Sequence, residues 1–217
     1  MKILVTAGAT REPVDAVRFL SNASTGATGA ALADAFTAAG HEVVLLSGEG
    51  SVKPARRCDV EVFSSAGDLA ERLRRRLGGG EIDAVVMAAA VADYRPAAAV
   101  AGKISSDADE LVLRLVRNEK ILPRLKSVSP RPVFVVGFKL TVDAAEAARR
   151  EAVASQFAAG GVDAVVHNDL AEIQATPAER HPFSLYRAAH AAPEKLAGAG
   201  ALADALAALL AGAGVRR

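Results

Sequence analysis

Hydrophobic and polar positions alternate between two regimes along the chain. Short β-branched and aliphatic runs occur at residues 2–6 (KILVT), 42–46 (EVVLL), 59–63 (DVEVF), 83–88 (DAVVMA), 133–137 (VFVVG) and 163–166 (DAVV). Their length and content predict strands, most of them buried on both faces. Between them lie segments of helical character. Residues 27–39 place Leu32 and Phe36 at i and i+4 and end at Gly40, a residue suited to stop a helix. An Arg-rich helix is predicted over 66–77 and a strongly charged one over 143–158, with Gly78–Gly80 as a surface turn. This alternation predicts one α/β domain over residues 1–217: a Rossmann-like, doubly wound, mostly parallel sheet with helices on both faces and right-handed crossovers.

Three segments interrupt the regularity. Residues 9–25 form a long polar connection, and residues 93–110 follow the fourth strand without a clear period. Residues 168–195 contain an expected antiparallel hairpin extension, with FSLYRA as one arm. After it, the Ala- and Gly-rich stretch Ala197–Gly214 carries Asp204 and reads as a packed terminal helix. In doubly wound sheets ligands sit beyond the carboxyl ends of the strands. The first two irregular segments, and the start of the third, lie at such ends.

Composition narrows the function. Twenty-six Lys+Arg against 25 Asp+Glu leave a formal charge of +1, without the basic excess typical of nucleic-acid binders. The lone Cys58 excludes an internal disulfide and a cysteine-only zinc site, and fits a reducing, cytoplasmic setting. His41, His167, His181 and His190 show no i, i+3 or i, i+4 pairing, so no transition-metal site is expected. The apolar start is broken at once by Gly8, Arg11, Glu12 and Pro13, too soon for a secretory leader. No apolar run is long enough to span a membrane. The Arg72–Arg76 run reads as a solvated helix face.

Residues 6–29 (TAGATREPVDAVRFLSNASTGATG) run from a strand end to a helix start. A glycine-bearing turn and a helix N-terminus both present N–H groups to an anion. Ser24, Thr25 and Gly26 stand at that start, where hydroxyls cap the helix or donate to phosphate. Arg18 adds a planar fork suited to carboxylate or phosphate. Gly8, Gly26 and Gly29 do not form a compact G-x-G-x-x-G, and only Glu49 follows the second strand closely as an acid. On spacing, an anion-binding loop, a dinucleotide-dependent reductase and plain structural loops all remain open. A reductase would also carry Tyr-x-x-x-Lys, which neither Tyr94 nor Tyr186 supplies. A catalytically idle flavin- or nucleotide-binding module is a further alternative.

The same segment resembles the start of the phosphopantothenate–cysteine ligases, which read roughly TxGGTxExxDxVRxxxNxSxGxxG. Further resemblances follow in order: residues 88–95 (AAAVADYR), 102–106 (GKISS) with Asp109 and Glu110, 137–141 (GFKLT) and 167–170 (HNDL). They span about residues 3–187, and the KISS and GFKLTVD strings look like the stand-alone bacterial subgroup. The lysine loop departs from the fused enzymes' KxKK, keeping Lys103 and then Ser105 and Ser106. Ala9 replaces a glycine, which requires that the backbone there avoid positive φ. His167 stands where a small residue is common.

The resemblance implies a two-step reaction. The carboxylate of 4′-phosphopantothenate attacks the α-phosphate of CTP (or ATP) with Mg²⁺, releasing pyrophosphate. The amine of L-cysteine then attacks the acyl-nucleotide. It assigns catalysis to Asn22 and Lys103, and substrate contacts to Arg18, Asn22, Ala89, Ala90 and Asp93. Nucleotide contacts fall to Gly8, Thr10, Ser24, Thr25, Gly26, Lys103, Phe138 and Lys139. Arg18 and Asn22 are expected to grip opposite ends of one carboxylate-bearing substrate. Asp93, after a buried strand, is expected to need a partner. Each has a plainer reading: Lys103 as a solvated loop lysine, Asn22 as a turn residue or cap, Asp93 as a cap, and Phe138 as core beside a surface Lys139. Asn168 and Asp169 read equally well as a turn. The resemblance also implies a homodimer in which residues 95–110 cross to the partner.

Overall fold

The computed structural model describes residues 1–213; Gly214, the last residue of the expected terminal helix, lies outside the described residues. Eight strands form one sheet. Six run parallel: β1 (Lys2–Ala7), β4 (Glu42–Gly48), β5 (Asp59–Phe63), β6 (Ala84–Met87), β9 (Phe134–Thr141) and β10 (Ala164–Asp169). The antiparallel hairpin β11 (Pro182–Tyr186) and β12 (Glu194–Ala197) extends the β10 edge. The spatial order β12-β11-β10-β9-β6-β1-β4-β5 makes the six parallel strands a Rossmann arrangement. Its topological switch point lies between β1 and β6, where chain connections depart in opposite directions and leave a crevice.

Helices cover both faces, as the continuous apolar strands require. On one face, α1 (Ala27–Ala38) packs over β1 and β4 and α6 (Gly198–Gly212) lies beside α1 toward the C-terminal hairpin, with Leu32, Phe36, Leu202, Leu206 and Leu210 sharing one core with Ile3, Val5 and Val166. Leu202, Leu206 and Leu210 recur every fourth residue, and burying each contributes roughly 1.5–3 kcal/mol. On the other face lie α2 (Ala66–Gly78), the short α3 (Leu125–Val128) and α4 (Glu146–Ala158). Leu69, Leu73 and Leu77 of α2 join Leu4, Val44 and Val85 in a second core. Ser65 caps α2 by accepting from the Asp68 N–H (3.2 Å), and buried Glu12 accepts from the Ala66 N–H (2.9 Å). On the arginine face of α2, Arg72, Arg75 and Arg76 all pair with Glu61 on β5. The short α5 (Leu170–Gln174) follows β10.

The two irregular polar segments are more ordered than their lack of period predicts. Residues 9–25 contain a small hairpin, β2 (Arg11–Pro13) and β3 (Phe19–Ser21), with the Arg11 guanidinium 4.5 Å from the Phe19 ring centre. The segment after β6 forms β7 (Tyr94–Pro96), which pairs antiparallel with β8 (Leu115–Arg117). Both ribbons stand beyond the carboxyl ends of the parallel strands.

Candidate active site

The crevice at the switch point is closed at its base by backbone pairing. Ala9 and Ala90 form a parallel bridge, the Ala90 N–H donates to Gly8 O (2.8 Å), and the Thr10 N–H donates to Ala90 O (3.2 Å). Ala9 avoids positive φ, so losing a glycine there is accommodated. The Ala89 N–H donates to Thr6 Oγ1 (3.0 Å). The N–H groups of Ala89 and Ala90 are therefore engaged within the chain, leaving their small side chains to permit a close approach. Thr10 departs from expectation. Its side chain is buried and its hydroxyl oxygen accepts from the Ala92 N–H (2.9 Å), so it braces two loops rather than facing a ligand.

Above this base lies the start of α1. Gly26 is its N-cap at φ 77° and Gly8 sits at φ 82°. A Cβ on Gly26 would stand 3.0 Å from Gly8 N and 2.9 Å from Ser51 Cβ, so the turn after β1 and the helix start pack backbone to backbone. Gly29 lets α1 lie on β1, where a Cβ would meet Ala7 Cβ at 2.5 Å. A helix leaves its first N–H groups without intrahelical partners and carries partial positive charge there. That of Ala27 donates to Thr25 Oγ1 (3.3 Å), and the first turn holds no carboxylate. Ser24 and Thr25 are exposed beside it. The result is a helix N-terminus with no carboxylate in its first turn, set against the turn after β1 at the switch point.

Strand periodicity sorts the residues of the neighbouring strand ends. Phe138, half-buried, packs against the core under α1 and α6, on the α1 side of the sheet. Lys139, the next residue on β9, points to the opposite face. The two expected nucleotide contacts thus do not share a face. Asn168 alternates with Val166, which packs under α1 and α6, so it shares the face of Phe138.

Asp93 is exposed, and its carboxylate has a partner: it pairs with Lys120 (2.5 Å), a residue no sequence signal singled out. Asn118 holds the same turn, its N–H donating to Asp93 O (2.8 Å) and its amide to Ala92 O (2.9 Å).

Arg18 is differently employed from its expected role. Its Nη1 donates to Asp15 Oδ2 (2.9 Å) and to Ile104 O (3.3 Å), so part of the fork reserved for a substrate carboxylate serves the lysine loop instead. Asn22 leaves β3 exposed. Lys103 is exposed and its ammonium has no ion-pair partner among the described residues.

Asp169 is a staple rather than a contact. Its fully buried carboxylate accepts from Thr141 Oγ1 (2.6 Å) and from the N–H groups of Asp143, Ala144 and Ala171. The Thr141 hydroxyl and these N–H groups hold its carboxyl well below the usual carboxylate range despite burial. The Thr141 proton goes to Asp169, so His167 Nε2, 2.9 Å from the same oxygen, is the donor in that contact. Burial first, then Arg149, lowers the His167 pKa and keeps the ring neutral. Its imidazole thus fills a buried polar position that a small residue would leave open. Among the described residues no group of three or more His, Cys, Asp or Glu is placed to hold a metal ion, and no helix is long and apolar enough to cross a membrane.

Fold and site together define an α/β protein of Rossmann-like strand order with the turn after β1 and the α1 N-terminus packed together at its switch point. The chain belongs to the family of the DNA/pantothenate metabolism flavoprotein C-terminal domain, which matches residues 1–210. The coenzyme A biosynthesis bifunctional protein CoaBC of Thermococcus kodakarensis is 38% identical over 169 residues, 78% of this chain and 41% of that protein. The chain therefore spans about two fifths of that relative's length. Among solved structures, a DNA/pantothenate metabolism flavoprotein from Streptococcus pneumoniae superposes with a TM-score of 0.86 at 24% identity, covering 98% of this chain and 99% of that one. A Cab2 mutant in complex with phosphopantothenate-cysteine gives a TM-score of 0.82 at 18% identity, covering 97% of this chain and 86% of that one. At these identities both likenesses concern the fold.

Proposed function

We propose that the chain is a phosphopantothenate–cysteine ligase acting in coenzyme A biosynthesis. In the first step a carboxylate oxygen of 4′-phosphopantothenate attacks the α-phosphorus of CTP, and pyrophosphate leaves. In the second, the amine of L-cysteine attacks the acyl carbon. The amide bond forms, the nucleoside monophosphate leaves and the amine gives up a proton. Mg²⁺ travels with the nucleotide and neutralises its phosphates.

One observation carries this reading: the turn at Gly8 and the α1 start at Gly26 lie at the same sheet end as the lysine loop, which is tied to the hairpin leading to Asn22. Phosphoryl transfer of this kind needs positioning and charge neutralisation more than covalent help. The turn and the helix start together serve as an anion cradle that takes phosphate, and Lys103 brings a movable positive charge to the transferred group. Asn22, exposed at the hairpin exit, can donate to an acyl oxygen and accept from the incoming amine. Phe138 offers an apolar surface beside a base, and Asn168 belongs to the same side. The Cab2 complex with phosphopantothenate-cysteine supports the substrate class. A reductase reading gains nothing from the geometry: Glu49, the acid after β4, is engaged by Arg11 (3.4 Å).

We also propose a homodimer formed through the β7–β8 ribbon and its connecting loop. Tyr94, Val100, Leu111, Val112 and Leu115 are all exposed there, a concentration of apolar surface suited to a partner.

The test is pyrophosphate release by purified protein with Mg²⁺, 4′-phosphopantothenate, L-cysteine and either CTP or ATP. Release that depends on phosphopantothenate is expected, faster with CTP. Folded protein that releases none with either nucleotide refutes the ligase reading.

A further inference from the structure

We infer that Asp15 is the positioning residue of Lys103, clamping the lysine loop onto the turn of the β2–β3 hairpin.

The Asp15 side chain is fully buried, yet it lies in a turn between two short strands at the edge of the fold. A buried carboxylate is tolerated only when its oxygens are met by donors. Here they are met from two sides. Oδ1 accepts from the N–H groups of Val17 (2.9 Å) and Arg18 (2.7 Å), which shapes the turn itself. Oδ2 accepts from Arg18 Nη1 (2.9 Å) and from the Ile104 N–H (3.0 Å), which lies 89 residues further along the chain. The Arg18 guanidinium also donates to Ile104 O (3.3 Å), so both polar groups of the Ile104 backbone are held by one ion pair. Burial raises the Asp15 pKa, but the N–H groups of Ile104, Val17 and Arg18, with the Arg18 charge, outweigh it and keep the carboxylate ionised.

Two backbone bonds complete the clamp. The Ala16 N–H donates to Gly102 O (3.2 Å), and the Val100 N–H donates to Val14 O (3.0 Å). Gly102 and Ile104 are the two chain neighbours of Lys103. The lysine is thus bracketed by anchored peptide groups while its own side chain stays free to reach a ligand. This is the arrangement expected of a mobile charge on a fixed base: the stem keeps its rotamers, and the Cα keeps its place. Asn would keep the size of Asp15 but present an N–H₂ to the Ile104 N–H or to the guanidinium, setting donor against donor. Asp15 touches no reacting atom in this scheme, and its effect reaches the chemistry through Lys103.

The structural part of the inference stands apart from the ligase reading and the catalytic part rests on it, so the test has two arms. In the first, amide hydrogen exchange of the wild-type protein is expected to show the Ile104 N–H protected by at least ~100-fold over a free peptide. Limited trypsinolysis is expected to spare the Lys103–Ile104 bond in wild type and to cut it at least ~10-fold faster in Asp15→Asn, with a cooperative melt retained. An unprotected Ile104 amide, or equal cleavage in the folded variant, overturns the clamp. In the second arm, pyrophosphate release by Asp15→Asn is expected to fall at least ~10-fold in kcat. Asp15→Glu, which keeps the charge, is expected to recover protection and rate together. A loop freed to cleavage with turnover unchanged overturns the positioning role. Wild-type protein that is silent in the assay but protected at Ile104 refutes the ligase reading while supporting the clamp.

Discussion

Replacing Gly26 by alanine tests whether the cradle is built by close backbone approach. At φ 77° an alanine is strained by about 1–2 kcal/mol. Its Cβ would also stand 2.9 Å from Ser51 Cβ and 3.0 Å from Gly8 N, where backbone has little room to yield. Overpacking of this kind costs about 1–3 kcal/mol. The whole penalty is about 2–5 kcal/mol, which for a chain of this size lowers the melting midpoint by roughly 4–20 °C. Gly40 is the matched control: its φ is 82°, but a Cβ there meets nothing within 4 Å. Gly40→Ala should therefore carry only the conformational part, about 1–2 kcal/mol. Differential scanning calorimetry of the two variants isolates the clash. Removing the Ser51 Cβ in Gly26→Ala/Ser51→Gly should restore part of the loss. Gly26→Ala melting together with Gly40→Ala would refute the packing argument. In the same variant the half-saturating nucleotide concentration for pyrophosphate release should rise, because the added methyl separates the two backbones that form the cradle.

Lys103→Gln should abolish pyrophosphate release without lowering the melting midpoint, since the ammonium has no ion-pair partner among the described residues; normal turnover would remove it from the mechanism. Asn22→Asp should slow formation of the cysteine amide more than pyrophosphate release, and equal slowing of both in single-turnover experiments would contradict the role given to the amide. Acid should destabilise the fold in two stages. His167, whose folded pKa lies below its ordinary value, withdraws stability as pH falls below about 6.5, because the unfolded chain then binds more protons. Asp169, also depressed, contributes fully above about pH 4 and loses its contribution as pH falls toward its folded value. Denaturant melts from pH 8 to 3 on Asp169→Asn should show a shallower acid decline than wild type over the lower stage. Val112→Asp, at a side chain on the exposed loop between the two ribbon strands, should convert the expected dimer to monomer in sedimentation velocity; a wild-type monomer at working concentration would refute the dimer.

The strands and the first helix were legible because their signals are local. β-Branched runs such as EVVLL and the Leu32–Phe36 spacing favour the same elements in any context, and the alternation of strand and helix leaves little choice but a parallel sheet. Gly8 and Gly26 were legible as backbone positions for a related reason, since a tight turn and a helix start at positive φ call for a residue without Cβ. The residues that tertiary structure alone decided owe their roles to distant neighbours. The β7–β8 pairing was hidden because three-residue strands carry no period. Thr10 and Arg18 have the chemistry of ligand-binding side chains, but packing turned the hydroxyl of one to Ala92 and a guanidinium N–H of the other to Asp15. Phe138 and Lys139 are adjacent in sequence and therefore suggest one contact, yet placing them in a strand sends them to opposite faces. The bond from Asp15 to Ile104 joins positions 89 residues apart, and no local propensity encodes it. Sequence pattern determined which elements form and which segments lie at the strand ends; the assembled fold decided which side chains there remain free, because only it determines which donors and acceptors already have partners.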